Sequence, residues 1–376
     1  MEIYLVRPGD EPAALARRFG LSLEALAELN QLGDPRRLSP GQCLLLAESS
    51  QPAGAERELC AALSPRAEAR LAQELLPMLS WLCIQSASVT ETGELSLPDD
   101  AWLIKAALDA GAAPLLSIGN LGPGGFSALS AHRLFSREDS MQALIANTLK
   151  AVRSKAYYGV ELNFQYLYPF DREAYTAFVC RMAQALHSAG CYLFCSLAPK
   201  SPGLEESPLC AAHDYAALGR AADRLILLCH DWGGPYSSPQ AVAPADRSAA
   251  VLAYASGLIP PGKCLLSLSC WGCSWPLPWR QGEAARLLPA RLAVDMAVSA
   301  GAQIRYDRAA QAPFFTFTDG GGQRRLVWFE DCRSLKARLE PALAAGIGGV
   351  SLCPRDRLYR PALKLLGSLC TGVKLI

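Results

Sequence analysis

A chain of 376 residues, 51% of them apolar, can bury a large core and has room for one big domain plus a small one. Its 36 Lys and Arg nearly cancel 35 Asp and Glu, so charge gives no case for nucleic acid or an anionic membrane as partner. No apolar run reaches the roughly 20 residues that span a bilayer. The opening MEIYLVRPGD lacks a basic segment followed by an apolar stretch, so the expectation is no signal peptide and synthesis in the cytoplasm.

The first 47 residues read as a unit of their own. Ile3 to Val6 is strand-like, Pro8-Gly9-Asp10 a turn, and Ala13 to Phe19 a helix that stops at Gly20. Ser22 is placed to cap a second helix through Leu29, because its hydroxyl can take up a free backbone amide. Pro40-Gly41 then turns into a closing strand, Cys43 to Leu46. Asn30, at the helix end, reads as a residue tolerating left-handed geometry. The βααβ order, with Val6, Pro8-Gly9-Asp10, Leu15/Phe19, Leu26/Asn30 and Leu38-x-Pro40-Gly41-Gln42-x-Leu44, resembles a LysM module. Such modules bind N-acetylglucosamine-containing glycans, and the resemblance puts glycan contacts at Gly9, Asp10, Glu11 and Asn30. Glu11 stands where that family usually has Thr.

A polar stretch, 48–58, reads as a linker. From 59 to 376 strands alternate with helices. The candidate strands are 58–63, 80–86, 113–119, 159–165, 192–197, 223–230, 263–269 and 347–352. That count and size predict an α/β fold, a (β/α)₈ TIM barrel. A small α+β insertion after the seventh strand is expected over about 303–330, with Gly320-Gly321-Gly322 as a hairpin turn.

The fourth strand carries the functional signal. Over Gly159 to Gln165, Val160, Leu162 and Phe164 share one face, and Glu161, Asn163 and Gln165 the other. Helical patterns flank it, Met141 to Val152 before and Arg172 to Ser188 after. The run resembles the signature of family 18 glycoside hydrolases: Asp, Gly, any, Asp or Asn, any, Asp, any, Glu. The Gly is Gly159, but the outer Asp is Tyr158, the inner Asp is Asn163, and the general acid is Gln165. Further matches extend the resemblance to the LysM-bearing family 18 enzymes of spore-forming bacteria, which cut N-acetylglucosamine linkages in spore-cortex peptidoglycan. They include Pro114 to Ile118 with Asn120-Leu121, Asp171 to Tyr175, Leu197 to Lys200, Ala212 to Tyr215, Asp231-Trp232-Gly233, Trp275 to Pro278 and Val327 to Asp331.

In that family the substrate's own acetamide attacks, a Glu protonates the leaving oxygen, and an Asp steers the acetamide, outside the two-carboxylate scheme. Gln165 has no acidic proton, and general-acid catalysis is worth roughly 10²–10⁴ in rate. Asn163 cannot offset developing positive charge, a loss on the order of 10²–10³. Independent losses multiply to about 10⁴–10⁷, enough to stall hydrolysis. Other departures agree: the sixth strand ends Leu228-Cys229-His230-Asp231 where the family has Met-x-Tyr-Asp, Cys353 replaces a Trp under the sugar, and Gln85 and Ala87 replace aromatic groups. Glu161 is expected to be a buried carboxyl well below Gln165. His230 is the best alternative acid or base, being titratable near neutral pH. Asn120, Tyr166, Asp231, Trp232, Trp271, Trp275 and Cys353 complete the expected sugar-facing set, although each Trp could equally pack under a loop.

Fourteen cysteines are many for the cytoplasm. Cys83, Cys180, Cys195 and Cys229 fall in apolar patterns, where a thiol acts as a small hydrophobe, and no disulfide framework is laid out. Cys270-x-x-Cys273 lacks the second pair of a zinc ribbon, so neither metal nor cofactor is expected. The expected function is a non-hydrolytic protein bound to peptidoglycan or another N-acetylglucosamine glycan of the spore cortex, coat or cell wall, with coat cross-linking through cysteines as a further possibility. Two alternatives remain: a glycoside hydrolase or transglycosylase using His230, and a structural module whose cleft no longer holds sugar.

Overall fold

The structure is a computed structural model and describes residues 1–46, 54–97, 99–122 and 124–376. In the N-terminal module, strands Ile3–Leu5 and Cys43–Leu45 pair antiparallel around helices Pro12–Arg18 and Leu23–Asn30. Ser22 Oγ accepts the Ala25 N–H at 3.0 Å, capping the second helix as expected. The left-handed residue that ends this helix is Gln31, with φ 50°, and not Asn30. Asn30 instead accepts the Leu45 N–H at 2.7 Å and donates to the Leu45 and Leu26 carbonyls. That bracket ties the helix to the closing strand.

Val6, Leu15, Ala16, Leu26, Leu44 and Leu46 form a small core, while Leu29 and Leu45 join the large one. Alternation along a strand explains the split, since Leu45 faces away from Leu44 and Leu46. Polar contacts complete the docking. Ile304 N–H donates to Pro40 O at 2.9 Å, Arg333 donates to Gly41 O, and Arg360 bridges Glu28 and Glu74.

Eight parallel strands close the barrel: Glu56–Leu63, Trp81–Val89, Ala113–Gly119, Gly159–Asn163, Tyr192–Leu197, Arg224–Leu227, Cys264–Ser269 and Gly349–Cys353. The first pairs with both the second and the eighth. It begins at Glu56, inside the stretch expected as linker, of which 48–53 lie outside the described residues. The fourth and sixth strands stop at Asn163 and Leu227, short of Gln165 and His230, so both of those residues belong to the mouth loops. The second strand slips register between Ile84 and Ala87, a bulge that defeats counting by parity.

Outward residues such as Val160 and Leu162 are fully buried, facing the layer that holds helices Glu138–Ser154 and Arg172–Ser188. Each is worth about 1.5–3 kcal/mol. Inside, Cys60, Trp81, Cys83, Ala113, Leu115, Phe194, Ile226 and Leu265 fill the lower end. Beneath them, Glu58 receives the Trp81 indole N–H at 2.7 Å and pairs with Arg224. The floor is therefore packed, and the residues past the C-terminal ends of the strands make up the barrel mouth, where sites in this fold are built.

The insertion is larger than expected. Its antiparallel sheet runs in the order Arg286–Pro289, Trp271–Pro276, Arg324–Phe329, Ala312–Thr318, Arg305–Asp307, with helix Ala290–Ser299, so it starts at Trp271 and not near 303. The glycine-rich turn joins two of these strands, as expected. Trp275 pairs opposite Leu326 and is fully buried, with its indole N–H on Ser237 O at 2.9 Å. It packs under a loop and offers no face to a sugar, the second of the two roles the sequence left open for it.

Candidate active site

The site grows from the tip of the fourth strand. Past Asn163 the chain turns Phe164 into the outer core and brings Gln165 to the mouth, 6% exposed. Two side chains hold this turn. Asn120 Oδ1 accepts the Gln165 N–H at 2.9 Å and its Nδ2 donates to the Gln165 carbonyl at 2.8 Å. Asn120 also donates to Ser127 O. It was expected to face sugar; its amide is engaged with backbone instead, as a positioning residue. His213 Nδ1 accepts the Ala198 N–H at 2.7 Å, which fixes the tautomer, and its Nε2–H donates to Phe164 O at 3.0 Å. Burial pushes the His213 pKa down to about 4, so the ring stays neutral.

The Gln165 side chain is oriented by an unambiguous acceptor. Its Nε2 donates to Ser196 O at 3.2 Å and to Asn163 Oδ1 at 3.0 Å. Both amide hydrogens thus point into the barrel wall, which leaves the carbonyl oxygen as the group available to a ligand. Below, Ser196 Oγ donates to Glu161 Oε1 at 2.5 Å. Glu161 is 3% exposed, and burial raises its pKa against the lowering effect of hydrogen bonds from Ser117, Ser196 and Cys83. As expected, it is a buried carboxyl under the site.

Two strands further round the barrel, past the end of the sixth strand, His230 is 9% exposed, with Nδ1 3.2 Å from Asp231 Oδ2. Neither ring nitrogen has a hydrogen-bond partner. Its ring meets Trp271 edge-on, with centroids 5.0 Å apart. Of the two roles left open for Trp271, stacking on sugar or packing under a loop, the structure shows the second: it is 2% exposed and the Arg355 guanidinium covers it, 4.2 Å from the ring centre. Arg355 also approaches Asp231 at 3.5 Å. Burial works against the Asp231 charge, yet His230 and Arg355 hold its pKa below the usual value.

Cys353 lies half-buried beside this group, with burial pushing its thiol to about 11. Tyr166 is exposed, with left-handed φ 56°, and meets Phe126 edge-on. Trp232 is half-buried and held through its backbone by Val242 O and Gln240.

In the N-terminal module, Gly9 takes φ 87°, a turn geometry suited to glycine. Asp10 closes that turn by accepting the Arg7 N–H and the Tyr4 hydroxyl, while Glu11 is exposed. Among the described residues no group of His, Cys, Asp and Glu is arranged to hold a metal. Cys270 and Cys273 fall in different cores.

The sequence pattern of glycosyl hydrolases family 18 matches residues 85–356. The chain belongs to that family. A LysM domain pattern matches residues 4–46. The cortical fragment-lytic enzyme of Bacillus subtilis (strain 168) is 30% identical over 404 residues, covering 93% of this chain and 94% of that protein. The Bacillus cereus spore cortex-lytic enzyme SleL superposes with TM-score 0.80 at 29% identity, covering 99% of this chain and 87% of that one. The Bacillus megaterium SleL structure gives TM-score 0.80 at 26% identity, over 100% and 87%.

As a family 18 site, the mouth is unusual in what it can do. It presents amide groups, Asn163 and Gln165, where the family's signature has carboxylates, with the Arg355 guanidinium on the loop after the eighth strand, so it can accept and donate hydrogen bonds. Reading the sequence missed Arg355, Ser196 and His213 as parts of the site. Of these, only His213 carried a signal, in the Ala212 to Tyr215 match; Arg355 sits on a loop with no periodicity to mark it.

Proposed function

We propose that this family 18 member is a glycan-holding protein of the spore or cell envelope that has lost hydrolysis. The LysM module tethers it to N-acetylglucosamine-containing peptidoglycan, and the barrel mouth provides a second contact. The observation that carries the loss is Gln165, whose amide hydrogens are both engaged with Ser196 and Asn163. An acid at this place must lend a proton outward, and this side chain has none to lend. Association with spore cortex draws support from the cortex-lytic relatives. None of the fourteen cysteines is fully exposed, which argues against cross-linking from the native state.

A second reading keeps catalysis and rests on His230, a buried imidazole without hydrogen-bond partners beside Asp231. Both are tested on the full chain with purified cortex fragments. Co-sedimentation without release of reducing ends is expected. Release at a rate typical of the relatives, abolished in His230→Ala, would establish the second reading; failure to sediment sinks the first.

A further inference from the structure

The mouth carries more hydrogen-bond donors than its own acceptors can use. Arg355 has five N–H groups, and apart from the long 3.5 Å approach to Asp231 no protein acceptor reaches them among the described residues. The Trp271 indole N–H has no hydrogen-bond partner, and the His230 ring beside it has only the 3.2 Å approach to Asp231. The carboxylates here are Asp231, already facing two cationic or donor groups, and Glu161, buried beneath and shifted toward its neutral form. Amides occupy positions 163 and 165.

Arg355 is also held in place. Arg355 and Asp356 both take left-handed backbone, with φ 50° and 60°, a conformation costly for Arg and better tolerated by Asp. Asp356 fixes the turn by accepting the Ser64 N–H at 2.8 Å and the Ser64 hydroxyl, which anchors it to the end of the first strand. Trp271 supports the flat face of the guanidinium from below. A guanidinium held over a ring, with only the 3.5 Å approach to Asp231 on its N–H edges, suits bidentate pairing with a carboxylate.

We infer that the mouth selects an amino-sugar glycan bearing a carboxylate, read by Arg355 on its Trp271 shelf. This rests on the reading that the mouth holds glycan at all. The carboxylate can belong to the sugar, as in a lactyl ether, or to a peptide attached to it.

The test is calorimetric binding by the full chain of three probes. They are the N-acetylglucosamine disaccharide, the N-acetylglucosaminyl-N-acetylmuramic acid disaccharide with a free lactyl group, and the same disaccharide carrying an amide-linked dipeptide. The wild type is expected to favour at least one carboxylate probe over the neutral one by about tenfold. Arg355→Met should bring that ratio close to one, and Arg355→Lys should restore it only in part. Any LysM contribution is common to all variants and cancels in their comparison. A ratio unchanged in Arg355→Met, or no preference in the wild type, overturns the inference and leaves glycan holding intact. No binding of any probe removes both.

Discussion

The Gln165 side-chain nitrogen lies 3.2 Å from the carbonyl oxygen of Ser196, a contact that settles which end of the amide turns toward the barrel wall. A carboxylate at 165 would set two acceptors against each other. Gln165→Glu is therefore expected to hold its new carboxyl neutral, with a folded pKa above the unfolded value of about 4.3. The sign follows: stability is full below the unfolded value and falls as pH rises through the folded one. Denaturation midpoints should match the parent near pH 4 and drop by neutral pH, a loss of about 1–3 kcal/mol. Adding Asn163→Asp should restore little reducing-end release; substantial recovery would show a mouth otherwise ready for hydrolysis.

Asn120 satisfies both backbone groups of Gln165 in a buried setting. Asn120→Ala leaves them without partners and should destabilise by about 1–3 kcal/mol, measured by urea denaturation. A variant as stable as the parent would return Asn120 to a ligand role.

Glu330 and Arg338 form an ion pair with no solvent exposure, beside Ser334, next to the helix cap at Asp331. Burial raises the Glu330 pKa to about 7, beyond what the Arg338 charge offsets. A raised carboxyl pKa contributes stability at low pH that is lost as pH climbs toward about 7. Glu330→Gln should remove that slope between pH 5 and 7, visible as thermal midpoints that change less with pH than the parent's. Arg338→Met should be far worse at neutral pH, by about 3–5 kcal/mol, because Glu330 must then take up a proton or stay charged without its partner.

Of the cysteines, Cys43, Cys180, Cys191 and Cys353 are half-buried and the others buried. Native protein should react with a thiol reagent at those four positions or fewer within minutes, and at all fourteen when unfolded. Rapid native labelling beyond those four would reopen cross-linking as a function.

Where a pattern is local, the sequence carried it. The alternation at Gly159 to Asn163 and the helix over Arg172–Ser188 come from apolar spacing that any chain of this composition must bury in one way. Ser22 as a cap is equally local. The strand Trp271–Pro276 was not legible, because its partners lie at Arg286–Pro289 and Arg324–Phe329 and nothing in its own residues announces them. The same distance effect decided between the two roles left open for Trp275, making it a core residue.

For the site, chain chemistry alone determined that positions 163 and 165 carry amides, since side-chain identity needs no fold. Which way the Gln165 amide points depends on Ser196, 31 residues away. Whether Asn120 meets ligand or backbone depends on Gln165, 45 residues away. The placing of Arg355 over Trp271 was likewise decided by packing between the eighth strand's loop and the insertion. Hydrogen-bond direction and exposure are properties of neighbours, and only tertiary structure brings those neighbours together.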